Sequence, residues 1–404
     1  MDDLNPLRKS HQSHRDSLAQ RRADKADELA RLSERPEAVA GSQDEPELEY
    51  IPWGPDEVDG PVPELVACFE SVQIEYATIR RAVGLLDANN RGTIIVTGAD
   101  RVELLNSLVS QQLAELPPGS CTEGFWLNRQ GRIRSDMRIA ILEDRVLLDL
   151  DLAQASETIE SLSEYVFTED VQFEDASSRY GRLQLHGPGA ISSLSALCGS
   201  TIDSATCEIQ VGDIPITIAR SDMVGEPGIH MFIPRDRLEQ AWEALVGAGC
   251  PEIVPVGWLA FNTARIEAGT PLFNVDFTHE NIPNETALLQ QRVSFTKGCY
   301  VGQEVVARIF SLGRPKQVLV GLRNKEDKLP VAGGHVCRVE EPANPIGVVT
   351  SSTISPMLGA EPIAFAMVRS AHSEPGSTVL VSAEGAQVES EICAIDFLDR
   401  QQEA

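Results

Sequence analysis

No two of the eight cysteines form a C-x-x-C pair. That absence argues against a structural zinc site, whose ligands usually come in closely spaced pairs, and no metal centre is expected. No apolar run approaches the ~20 residues needed to cross a bilayer. The chain opens Met1-Asp2-Asp3-Leu4, with no apolar leader of the secretory kind. A cytoplasmic location with reduced, mostly buried thiols is therefore expected. Positive charge is scarce: 34 Lys and Arg against 61 Asp and Glu leave a net charge of −27. A chain so acidic is a poor general binder of nucleic acid or anionic membrane, and neither is expected as a partner. No G-x-x-x-x-G-K-[ST] motif is present, so nucleotide hydrolysis is not indicated.

What is present divides the chain into three parts. Residues 1–62 read as a charged, weakly helical or flexible extension lying mostly outside the core. They contain "HRDSLAQRRADKADELARLSER" (14–35), and from Glu37 to Asp59 there are eight acids and no base. Residues 63–312 read as a body of two similar α+β modules in tandem. "CFESVQIEYATIRRAVGLLD" (68–87) has a helical pattern. "TIIVTGADRVELLNSL" (93–108) and "RLQLHGPGAISSLSAL" (182–197) then repeat one logic: a strand, a glycine turn, and a helix with leucines on one face. Asp100 and Glu103 are spaced for a capping box. Further strands and a helix follow each unit, and a ligand pocket is expected between the modules. From 316 to 400, short strands broken by Gly and Pro predict a small antiparallel β-barrel.

One stretch stands apart: "KGCYVGQEVVAR" (297–308). A thiol reacts as thiolate, and nearby cations or backbone N–H groups favour that form. Lys297 and Arg308 are near Cys299 in sequence, and Gly298 and Gly302 predict a bent backbone. Cys299 also fits the ordinary fate of a free cysteine, packing as a small apolar residue.

"KGCYVGQE" resembles the signature of the YgfZ-type proteins, folate-binding iron–sulfur maintenance relatives of the glycine-cleavage T-protein. The pattern is Lys-Gly-Cys-aromatic-x-Gly-Gln-Glu, and all seven specified residues are present. "VGEPGIHMFIP" (224–234), "ARIEAGTPLF" (264–273), "IPNE" (282–285) and "IGVVTSSTISPMLG" (346–359) resemble segments of the wider T-protein superfamily. The resemblance covers roughly residues 63–400.

The resemblance implies a tetrahydrofolate-binding body with a C-terminal barrel. Its role would be to support iron–sulfur cluster assembly or repair, with assembly or client proteins as partners. The competing implication is a folate-dependent aminomethyl- or methyltransferase. A third reading is a binding protein that has lost folate and recruits a partner through its acidic arm. Glu226, between Gly225 and Gly228, matches the position that holds the pterin, whose adjacent N–H groups suit one carboxylate; by composition it also fits a solvated turn. Asp136 matches the second acid of a catalytic Asp-Asp pair, with Ser135 in place of the first. Arg265 and Glu267 match positions beside the folate channel, or pair structurally with each other. Lys297 and Gln303 would flank the folate, with Cys299 near its reactive end. The superfamily's Asp-x-Ser-His-Met-Gly appears as Asp87-Ala88-Asn89-Asn90-Arg91-Gly92, which counts against glycine cleavage itself.

Overall fold

The computed structural model describes residues 5–32, 48–54 and 62–398. The acidic stretch from Glu37 to Asp59 lies largely outside the described residues.

The tandem repeat is visible in the sheets. The first sheet runs Cys121–Leu127, Ile133–Ile141, Val146–Asp151, Arg91–Thr97, Gln172–Asp175. The second runs Thr206–Val211, Ile214–Ser221, Gly228–Pro234, Tyr180–His186, Val83–Asp87, Ile253–Pro255. In both, the strand that opens the module pairs with the strand that closes it. The helices Arg101–Leu108 and Ala190–Cys198 follow the opening strands at matching places.

Side-chain alternation sets which face is which. Ile94 and Val96 join the core beneath the helices of the first module, together with Leu148 and Leu150. The intervening Ile95 and Leu147 turn the other way. There they meet Ala219 and Phe232 of the second module in a shared core between the sheets. Asp149 is on that inward side and is fully buried.

Three local expectations change. The helix predicted over 68–87 is Val72–Arg81, and Val83–Asp87 is a strand buried along its whole length. Its apolar run serves both faces of the six-stranded sheet, with Leu85 in one core and Leu86 in another. The capping box does not form: Asp100 caps no helix N–H but accepts the backbone N–H of Asp170 at 2.8 Å. The N-terminal segment is outside the core only in part. Leu7 and His11 are fully buried, His11 packs edge-on against Phe69 and Trp242, and Arg8–Leu32 is helical.

The barrel is closed by six antiparallel strands in the order Gln317–Asn324, Glu361–Arg369, Glu341–Ser355, His335–Arg338, Thr378–Ala383, Ala386–Cys393. Closure removes the exposed edges that short strands would otherwise present. The thiols are free, but only Cys337 is buried; Cys250 and Cys299 are exposed and the rest intermediate. Several, such as Cys121, Cys198 and Cys393, end a strand or helix, where burial is partial. Among the described residues no helix is long and apolar enough to cross a membrane.

Candidate active site

A cavity of about 310 Å³ opens where the two sheets meet the helix Trp258–Glu267 and the loop that follows it. Its size falls at the lower end of small-molecule sites, roughly 300–1,000 Å³. The first module contributes Glu123, Asp136 and Arg138; the second contributes Gln184, Gly225 and His230. Arg292 reaches in from the short helix Leu289–Arg292.

Arg292 bridges two carboxylates. Its Nε donates to Asp136 Oδ1 at 3.0 Å, and its Nη1 donates to Glu123 Oε2. Glu123 also accepts Arg138 Nη2 at 2.7 Å. The two acids are pushed in opposite directions. Burial raises Asp136 above the ordinary carboxylate range, with Arg292 opposing. Burial also acts upward on Glu123, but Arg292 and Arg138 together outweigh it and hold its carboxyl below that range. A pair split in this way can divide proton-holding from charge-holding.

Beneath this pair lies a second ionic centre. Asp149 accepts Arg91 Nε at 2.8 Å and Arg138 Nη1 at 3.0 Å, and pairs with Arg182 Nη2 at 3.0 Å and His230 Nδ1 at 2.9 Å. The desolvation of so buried a carboxylate is offset by the arginines, Arg182 foremost, and Asp149 stays far below its ordinary value. Burial drives His230 well below the usual histidine range, so the ring is neutral. Its Nε2 is buried without a hydrogen-bond partner among the described residues, and the residue lines the cavity. A buried ring nitrogen of this kind can bond a ligand's polar group.

Two of the residues singled out in the sequence line this cavity: Asp136 and Gly225. The partner of Asp136 is not one of the arginines of its own strand region. Arg132 pairs with Glu280 and Arg134 with Glu157, while Arg292 comes from 156 residues away. Ser135 faces the opposite side of the sheet, buried against Thr158 at 2.5 Å. An acid at that position would not enter the cavity. Glu226 is half-buried on the hairpin beside Gly225, whose φ of +73° favours glycine. Gly228 is packed too closely for any side chain, since a Cβ would lie 2.6 Å from Ser221 O.

The others are placed elsewhere. Arg265 is fully buried, donating to Asn262, Thr270, Asp276 and Ser351. Glu267 accepts Tyr76 Oη at 2.5 Å, Arg80 Nη2 at 2.6 Å and the hydroxyl of Ser355. The two do not pair with each other; each fastens its helix to neighbours. Lys297 donates its three amine protons to the carbonyls of Asn106, Val109 and Gln111 at the end of the helix Arg101–Leu108. Burial pulls its amine down to about 8. Gln303 accepts the backbone N–H of Tyr300 at 3.3 Å within its own turn. Cys299 is exposed and does not line the cavity. Lys297, Gln303 and Cys299 do not line this cavity: the turn packs against the outer tip of the Cys121–Ile141 hairpin. There Gly302, at φ +80°, approaches Asn128 so closely that a Cβ would lie 2.5 Å from its carbonyl oxygen.

Sequence reasoning missed Glu123, Arg292, Asp149 and His230. Asp149 alone carried a usable signal, as an acid on the apolar strand "RVLLDL". Asp87 was noted only as part of a departure. It lines the cavity, and burial raises it to about 7.

Comparison with known proteins agrees with this architecture. Residues 55–297 match the GCVT N-terminal domain, and residues 317–399 match the glycine cleavage T-protein C-terminal barrel domain. The chain is 31% identical to an aminomethyltransferase of Streptomyces avermitilis and 30% identical to one of Streptomyces coelicolor. Each alignment covers 82% of this chain and 91% of the relative. The crystal structure of the glycine cleavage system aminomethyltransferase T from Bartonella henselae shares the fold, with a TM-score of 0.75 over 87% of this chain and 94% of that one, at 24% identity. The chain belongs to the glycine cleavage T-protein family.

Proposed function

We propose that this chain is a folate-dependent one-carbon transferase of the aminomethyl-transfer type, with tetrahydrofolate as its bound partner in the cavity between the sheets. The observation that carries the reading is Arg292, which bridges two cavity carboxylates of opposite ionisation tendency. The donor set suits a reduced pterin, which offers N–H groups to carboxylates and planar surface to aromatic walls. The orphaned Nε2 of His230 gives such a ligand a further polar contact.

Tetrahydrofolate, when bound, supplies a nucleophilic ring nitrogen. The chain's own residues orient it and manage protons around it. Asp136, whose neutral form burial favours, is the acid of the pair suited to take up a proton at its carboxyl oxygen. Glu123 stays ionised as a fixed negative wall, and Arg292 keeps both acids in place. Glu226, on the hairpin beside Gly225, takes the adjacent N–H groups of the pterin. The cavity-lining Asn90 and Arg91 depart from the family's pattern, and they argue for a carbon donor other than glycine.

The test is calorimetry of the purified chain with 5-formyltetrahydrofolate, run beside a methylene-transfer assay. Glu226→Ala is expected to weaken binding at least about tenfold. Asp136→Asn is expected to lower transfer about 100-fold while binding is kept. No detectable binding at millimolar ligand would sink the proposal.

A second reading, support of iron–sulfur cluster assembly or repair in the YgfZ manner, has one observation in its favour. Cys299, in the signature turn, is exposed, as contact with a partner protein requires. In cells lacking the protein, a Cys299→Ala copy that fully restores iron–sulfur enzyme activity would remove that support.

A further inference from the structure

A row of rings leads from the N-terminal segment to the ionic floor of the cavity. Trp53 meets Trp258 edge-on, with centroids 4.9 Å apart. Trp258 meets Phe261 at 5.5 Å, and Phe261 meets His186 at 5.1 Å. His186 stands 6.3 Å from His230, the ring that touches Asp149. Trp53, Trp258, Phe261 and His230 all line the cavity. Of these, Trp53 alone lies outside the family domain, whose match begins at residue 55.

Trp53 is held firmly. The strand before it, Tyr50–Pro52, pairs antiparallel with Glu64–Val66, and Trp53 N donates to Pro63 O at 2.8 Å. Its indole Nε1 donates to Asp151 Oδ2 at 2.9 Å, and Asp151 is itself a cavity residue, 5% exposed. Asn5 does the same for a second cavity carboxylate, donating to Asp87 Oδ2 at 2.8 Å. Two acids of the cavity are thus engaged by side chains that precede the family domain. An indole fixed by a hydrogen bond and by packing loses little further freedom when a ligand meets it. Trp53 is only half-buried, so ring surface remains available.

Resting on the reading that the cavity takes a reduced folate, we infer that Trp53 is a ligand-contacting, specificity-determining residue. The segment before the family domain supplies the outer ring of an aromatic wall. That wall selects a ligand long enough to carry a second planar ring, as a folate does and a bare pterin does not.

The test uses the full chain and two probes, 5-formyltetrahydrofolate and 6-methyltetrahydropterin. Trp53→Ala is expected to weaken the folate about tenfold and the pterin less than about threefold, the scale of one lost aromatic contact. Trp53→Phe keeps a ring and is expected to bind the folate within about threefold of the parent chain. The indole N–H resonance of Trp53, assigned by its loss in Trp53→Phe, should move on titration with the folate. An unmoved resonance at saturation, or equal weakening of both probes, overturns the inference and leaves the folate reading standing. A parent chain that binds neither probe overturns both. Should Trp53→Ala fail to fold, the resonance decides.

Discussion

The seam between the sheets and the turn at Lys297–Glu304 handle charge in contrasting ways. In the seam, Asp149 takes ion pairs from Arg91, Arg138 and Arg182 and a hydrogen bond from the neutral ring of His230, all drawn from strands of both modules. In the turn, the one cation, Lys297, is half-buried, pairs with no acid among the described residues, and is matched by three carbonyls of a neighbouring helix end. The seam joins two modules through opposite charges in a dry interior. The turn is sewn to one helix by a side chain acting as its cap. The first arrangement makes a site that holds its charges still; the second makes a fastening beneath an exposed loop.

The contrast can be broken from the seam first. Asp149→Ala leaves buried guanidinium groups without their shared acid, and a loss of about 4 kcal/mol is expected. Denaturant unfolding measures it; a loss below about 1 kcal/mol would mean the arginines have other support. Asp87 gives a pH-dependent counterpart. Burial raises its folded value from 3.8 to about 7, so between those values the folded chain keeps a proton that the unfolded chain has lost. Stability therefore falls as pH rises through that window and is level above it. Asp87→Asn removes the slope. A gain on the order of 4 kcal/mol is expected at pH 8, vanishing at pH 4, and unfolding curves at the two pH values check it.

The turn should respond less. Lys297→Met strips the helix end of its cap, with about 1.5 kcal/mol expected from unfolding curves. Folate binding should be unchanged, because the amine lies outside the cavity. Cys299→Ser should leave both the melting temperature, within about 1 °C, and folate binding as they were. A binding defect in either variant would bring the turn back to the site.

Much of the architecture was legible. The repeated strand–glycine–helix units and the short barrel strands depend on local pattern, and local pattern survives into the fold. Asp136 was legible too, as was the glycine-rich hairpin at Gly225. The rest of the site was not, for a physical reason. Arg292 and Glu123 are ordinary residues until a contact spanning 169 positions brings them together. Burial, not residue type, gives Asp87 its raised value. The turn at Lys297–Glu304 was opaque for another reason: Gly302 is demanded by close approach to Asn128 and Lys297 caps a helix end, needs that the sequence does not display. Trp53 was unreadable because the segment around it has the composition of a solvated tail.

The helix Trp258–Glu267 has two fastened ends. Trp258 and Phe261 form part of the cavity wall. Further along, Thr263, Arg265 and Glu267 are tied to Thr353, Ser351 and Ser355, every second residue of one barrel strand. The helix is thus a beam with the barrel as its abutment. Through it the barrel anchors the indole and phenyl rings at the far end, and so supports the wall of a chamber to which its own strands add no lining residue.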